Sequence, residues 1–210
     1  MLDILFQNPI VFVLLIGALI ISLSIHEFAH AFAAVKLGDD TPKYFGRVTL
    51  DPRAHIDPIG LLVLVVAGFG WGKPVGFNPI NLKNPKRDSA LIAAAGPLSN
   101  FVLAALLALV FHLVGGGHIF VVMNVGSLAM QFLAYLIFYN LILGIFNLIP
   151  VHPLDGFKVV RGFLSGNLVW QWDQTQQLGT IILIILIFTG ATSSIVNPIL
   201  TVIMRFLGLL

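Results

Sequence analysis

The sequence predicts an all-α polytopic membrane protein: a core of about four transmembrane helices, with a short cytoplasmic β-element and a re-entrant segment. Three observations carry this reading. Hydrophobic residues make up 58% of the 210-residue chain and charged ones 10%, with a mean hydropathy of +1.00, well outside the balance of soluble domains. Four apolar stretches are long enough to cross a bilayer as helices, which takes about 20 residues each. The eleven Lys and Arg are gathered in a few loops between those stretches. Such clustering, with a formal charge of only +2, fits a lipid bilayer and argues against nucleic acid as a partner. With no cysteine, disulfides and thiolate ligands are excluded, so any metal must be held by nitrogen and oxygen.

Taken in order, Asn8-Pro9 is a helix start, and the pattern runs apolar to Leu37-Gly38, where glycine can close the helix. At 1.5 Å per residue this helix is about 40 Å long, more than one bilayer crossing needs. Met1 to Pro9 holds Asp3 but no Lys or Arg, so it lacks the basic region of a cleavable signal peptide, and the first span is expected to stay in the mature protein. Asp39 to Asp57 is a polar loop with Lys43, Arg47 and Arg53, in which Gly46 to Leu50 reads as a short strand. Ile59 to Trp71 is apolar but too short to cross as a helix, which makes it re-entrant or interfacial. Gly68 to Val75, rich in glycine and carrying Pro74, reads as an extended turn or edge strand.

Asp88 is the expected N-cap of a second span that reaches about Val114 and is kinked at Gly96-Pro97. Gly115 to His118 turns the chain into a third span, from about Phe120 to Leu148, which stops at Pro150. Val151 to Gln177 is a mixed segment with room for one short helix, and a fourth span follows from about Leu178 to Phe206. Four crossings leave every Lys and Arg except Arg205 on one side, which the positive-inside rule assigns to the cytoplasm of a cell membrane. No repeat or appended soluble module is visible, so residues 1–210 are expected to form a single integral membrane domain.

The chemistry begins at Ile25-His26-Glu27-Phe28-Ala29-His30, inside the first span. A charged group at the centre of a membrane helix costs roughly 2.5 to 3.5 kcal/mol even on insertion scales, so three ionisable groups within five residues call for a function. His26 and His30 are four residues apart and share a helix face, so two imidazoles can reach one metal ion. In the H-E-x-x-H arrangement the histidines hold zinc and the glutamate accepts a proton from the water that the metal activates. A catalytic zinc usually has three protein ligands, and the best third candidate is Asp155. It lies in Asn147-Leu148-Ile149-Pro150-Val151-His152-Pro153-Leu154-Asp155-Gly156, after a span that ends on the same side as the histidines. His152 is a rival ligand, and Asp155 beside glycine is also a common turn pairing. His55 is expected in a loop, His112 and His118 at the opposite face, and Gly96-Pro97 with Asn100 in helix packing.

The chain resembles the site-2 proteases, the intramembrane zinc metalloproteases. The resemblance rests on His26 to His30, on Ala95-Gly96-Pro97-Leu98-Ser99-Asn100, and on the run from Asn147 to Gly156, in the family's order. It implies that His26, His30 and Asp155 bind one Zn2+, that Glu27 is the general base, and that Asn147 helps hold the substrate or its oxyanion. It also makes Gly72-Lys73-Pro74-Val75 look like the family's glycine-rich segment, which pairs with an unwound substrate strand. The implied substrate is a transmembrane protein, cut in or near its membrane segment during regulated intramembrane proteolysis. Larger members carry PDZ or CBS modules, for which this chain has no room. A membrane metal-binding or transport protein using the same ligands, or a catalytically inactive relative, is the competing reading, and oligomeric state stays open.

Overall fold

The computed structural model describes residues 1–210 as ten α-helices and two 3-10 turns. In chain order the helices are α1 (Leu2–Gln7), α2 (Pro9–Lys36), α3 (Thr41–Tyr44), α4 (Pro58–Ala67), α5 (Pro85–Leu113), α6 (Ile119–Val125), α7 (Leu128–Asn147), α8 (Asp155–Phe163), α9 (Asn167–Phe188) and α10 (Ala191–Phe206). Three of them, α2, α5 and α7, are long and apolar enough to cross a membrane, and the bent pair α9 and α10 makes a fourth if it counts as one span.

Local chemistry sets most of the boundaries. Asn8 caps α2 by accepting the Val11 amide, with Pro9 in the first turn, as the sequence predicts. Asp57 caps α4 by accepting the amides of Ile59 and Gly60, and Gly68 ends it in a left-handed conformation, φ 81°. This ten-residue helix is about 15 Å long, half of what a crossing requires.

Four expectations need correction. The strand expected over Gly46 to Leu50 is absent; the only β pairing is one antiparallel bridge between Ile56 and Gly72. The second span begins at Pro85 rather than at Asp88, and Asp88 Oδ2 instead reaches back to the amide of the N-cap residue Asn84. That helix then runs unbroken through Pro97. The third span is divided, because Gly126-Ser127 ends α6 and Ser127 caps α7. The fourth is bent by 74°, and Gly190 at the break is left-handed, φ 75°.

The core lies among α2, α5 and α7, closed at one end by α6 and α10. Ala18, Ala104 and Ala134 are fully buried there, with Phe111, Ile137 and Leu141 beside them. Small residues let membrane helices approach, since packing rather than a difference in hydrophobicity holds them together in lipid. Gly144 shows this directly: a Cβ on it would lie 2.8 Å from the Phe101 ring. The outer faces remain apolar, with Val102, Leu106 and Leu109 on α5 and Ile181, Ile184 and Ile185 on α9 all exposed. A multi-pass membrane protein accounts for such surfaces.

Candidate active site

Two helix ends and one helix middle converge on the predicted residues. His26 and His30 lie one turn apart on α2, and Asp155 opens α8 just after α7 ends. His26 Nε2 is 3.0 Å from His30 Nε2, and each is 3.1 Å from Asp155 Oδ2. The two imidazole rings meet edge to face with centroids 4.6 Å apart. All three residues are at least half-buried, His26 being only 2% exposed. Asp155 therefore joins the histidines, whereas His152 does not: its Nε2 is 3.4 Å from the amide nitrogen of Gln176, and it is not among the clustered ligand atoms. Burial, with the Lys158 charge nearby, pushes the His152 pKa down.

The donor set fits a zinc ion. Tetrahedral ligands at about 2.0 to 2.1 Å from zinc stand about 3.3 Å from one another, close to the separations found here. His30 Nδ1 is 2.7 Å from the Ile92 carbonyl, which can only accept, so Nδ1 carries the proton and Nε2 offers a lone pair. His26 Nδ1 is 2.6 Å from Asn100 Oδ1, the same arrangement. Two imidazole lone pairs and a carboxylate oxygen at this spacing repel one another unless a cation lies between them. Gly96 on α5 makes room for the rings, because no side chain fits between that helix and the imidazoles.

Glu27 is also buried and faces a cavity of about 290 Å³ that it lines with the three clustered residues. Its Oε2 accepts the backbone amide of Val75 at 3.1 Å. The segment Trp71 to Phe77, which forms no helix, thus lines the cavity beside Glu27. It is tethered on its other side by the Lys73 amide donating to His55 O at 2.8 Å and by the buried Arg47 guanidinium, which bonds Ala54 O and Lys73 O. Asn147 lines the same cavity, and its side-chain amide donates to Leu143 O at 3.0 Å.

His55 is fully buried in this loop, with Nε2 bonded to Thr49 O, and is no part of the cluster. His112 bonds Leu207 O at the far end of the bundle. Asn100 is more than a packing residue, since it contacts His26 directly. Its location three residues beyond Gly96-Pro97, as a polar group inside a span, is the signal that points to it.

A sequence model of peptidase family M50 matches residues 14–126 and 115–190. The chain belongs to peptidase family M50, the site-2 proteases. This M50 peptidase is 37% identical over 195 residues to "Putative zinc metalloprotease YwhC" of Bacillus subtilis, covering 89% of the chain and 85% of the relative. It is 31% identical over 188 residues to "Putative zinc metalloprotease Rip2" of Mycolicibacterium smegmatis, covering 86% and 69%. With "Zinc metalloprotease MJ0392" of Methanocaldococcus jannaschii it shares 29% identity over 159 residues, 76% of the chain and 37% of that longer protein. No solved structure matches. The M50 peptidase is thus an intramembrane zinc metalloprotease, in keeping with its His-His-Asp cluster.

Proposed function

We propose that this M50 peptidase hydrolyses peptide bonds in or near transmembrane segments, with His26, His30 and Asp155 holding a single Zn2+, Glu27 acting as general base and Asn147 assisting. The observation that supports it most is the convergence of three acceptor atoms at 3.0 to 3.1 Å beside a buried glutamate. Zinc bound there supplies Lewis acidity, polarising the scissile carbonyl and acidifying water.

The chain's own residues do the rest. Glu27 faces the cavity with one oxygen held by Val75, which aims the carboxylate and leaves the other to take a proton from water and return it to the leaving amine. The Asn147 amide uses one N–H on Leu143 O, and its second can donate to a developing oxyanion, an interaction whose loss typically costs about 2.7 to 4 kcal/mol of barrier. A helical substrate must unwind locally, and pairing with the segment Trp71 to Phe77 would satisfy the backbone groups so released.

A second cavity of about 330 Å³, apolar and lined by Leu61, Leu64, Phe69 and Ile142, shares Leu23, Trp71 and Phe146 with the first. It suits an apolar side chain of the substrate flanking the cut. The reading takes residues 1–210 as one domain, α4 as a re-entrant helix, and the site as cytoplasmic in a cell membrane, on the side where all cations but Arg205 lie. The test is Glu27→Gln in the purified chain: zinc is retained and cleavage of a transmembrane test substrate is abolished. Wild-type protein that binds zinc but cuts no such substrate overturns the proposal, and metal flux that survives the substitution favours a transporter.

A further inference from the structure

Behind the histidine pair runs a chain of buried polar groups that the catalytic chemistry does not use. Ser22 on α2, Asn100 on α5 and Asn140 on α7 are each fully shielded, with no exposed surface. Asn140 Nδ2 donates to Ser22 Oγ at 2.7 Å and to Leu136 O at 2.8 Å. Asn100 Nδ2 donates to Asn140 Oδ1 at 2.7 Å and to Ser22 O at 3.1 Å. Ser22 Oγ in turn donates to Ala18 O at 2.8 Å. Asn100 Oδ1 meets His26 Nδ1 at 2.6 Å.

The direction of this chain follows from its backbone anchors. A carbonyl oxygen only accepts, so the Asn140 atom beside Leu136 O must be the NH2 group. Its oxygen is then turned toward Asn100. The Asn100 atom between that oxygen and Ser22 O must likewise be NH2, which leaves Oδ1 for His26. His26 Nδ1 has to donate, and its lone pair is confined to Nε2, the atom that faces His30 and Asp155. Reversing either amide would oppose oxygen to oxygen in a site that water does not reach, so the polarity does not depend on how the amides are drawn.

We propose that Asn140 and Ser22 are positioning residues for His26: acting through Asn100, they fix its tautomer and ring orientation so that Nε2 presents a lone pair to the metal. The proposal rests on His26 being a metal ligand. Partners of this kind, one step removed from a metal, typically change affinity by about 10- to 100-fold when lost. Asn140 belongs to none of the motifs visible in the sequence, and lies in the apolar interior of α7.

The test measures zinc affinity of the full chain, purified in detergent, by competition with a chromophoric chelator. Asn140→Leu is expected to weaken binding by about 10- to 100-fold and Ser22→Ala by a smaller factor. The double variant Asn100→Leu with Asn140→Leu should bind no more weakly than Asn100→Leu alone, because both act through one contact. Ser99→Ala, whose hydroxyl bonds only Gly96 O, serves as the packing control and should bind zinc normally. Unchanged affinity in Asn140→Leu and Ser22→Ala, or additive losses in the double variant, overturns the relay. Should Asn140→Leu fail to fold, Ser22→Ala, the smallest change, decides alone. His26→Ala separates the two readings: if it leaves zinc affinity intact, the ligand assignment fails rather than the relay.

Discussion

Gly96 is pressed against His30. A Cβ placed on it would stand 2.5 Å from His30 Cε1 and 2.7 Å from His26 Cε1, so α5 and the imidazoles cannot both keep their positions if the residue grows. Gly96→Ala is therefore expected to lower zinc occupancy well below one ion per chain and to abolish cleavage. Overpacking of this kind costs about 1 to 3 kcal/mol, so the helices should still fold. Metal analysis alongside a circular-dichroism melt distinguishes this outcome from general unfolding.

Arg47 holds the segment Trp71 to Phe77 through Lys73 O and is not among the clustered ligand residues. Arg47→Ala leaves Ala54 O and Lys73 O short of a donor and frees the stretch that carries Val75. Zinc content should stay at one per chain while KM for a transmembrane substrate rises about tenfold or more, the scale of losing a hydrogen bond from a charged donor. Equal loss of zinc would show that the loop supports the metal site instead.

Asp39, just beyond α2, bonds the amide of Asn78 at 2.6 Å, the side chain of Asn81 at 2.7 Å and both polar groups of Thr41, tying the loop after the first span to the one before α5. Burial pushes its carboxyl upward, but these donors outweigh that and hold it below the usual carboxylate range. A depressed pKa contributes stability that is fully present above the unfolded value, about 3.9, and is lost as pH falls through the folded one. The wild-type melting temperature should thus drop as pH is lowered below about 4. Asp39→Asn should melt several degrees lower at pH 7 and show a shallower acid dependence.

Two substitutions separate the rival third ligands. Asp155→Ala should remove zinc from the chain, whereas His152→Ala, outside the cluster, should retain one ion. Zinc lost from the histidine variant and kept in the aspartate variant would reverse the assignment.

The apolar cavity beside the site invites a specificity test. Leu61→Trp fills part of its 330 Å³. Substrates with Phe or Leu flanking the cut should then show several-fold lower kcat/KM, while those with Ala there should change little. A uniform loss for both would place the cavity outside the substrate path.

Much of the site is legible in the sequence because each motif carries its own geometry. Four-residue spacing puts His26 and His30 on one face, and the prolines before Asp155 end α7 and let the chain turn back toward them. Positions in the span boundaries are less legible, since hydropathy reports apolar length but not direction. The run from Leu178 to Phe206 is apolar on average, which reads as one span, yet the helices on either side of Thr189-Gly190 are bent by 74°. Gly46 to Leu50 has strand-forming residues but no neighbour to pair with, and so forms bends. Asn140 and Ser22 escape notice because neither belongs to a recognisable motif, and their meaning appears only when three helices bring two amides and a hydroxyl together.

One backbone nitrogen, that of Val75, belongs at once to the bar a peptide would lie along and to the clasp on Glu27. If Glu27 is the base and the segment receives substrate, docking and arming are geared to each other. On the proposed reading, a polypeptide that seated poorly and levered the bar outward would also swing the carboxylate off its aim, so accuracy of fit would be enforced through the residue proposed to take the proton.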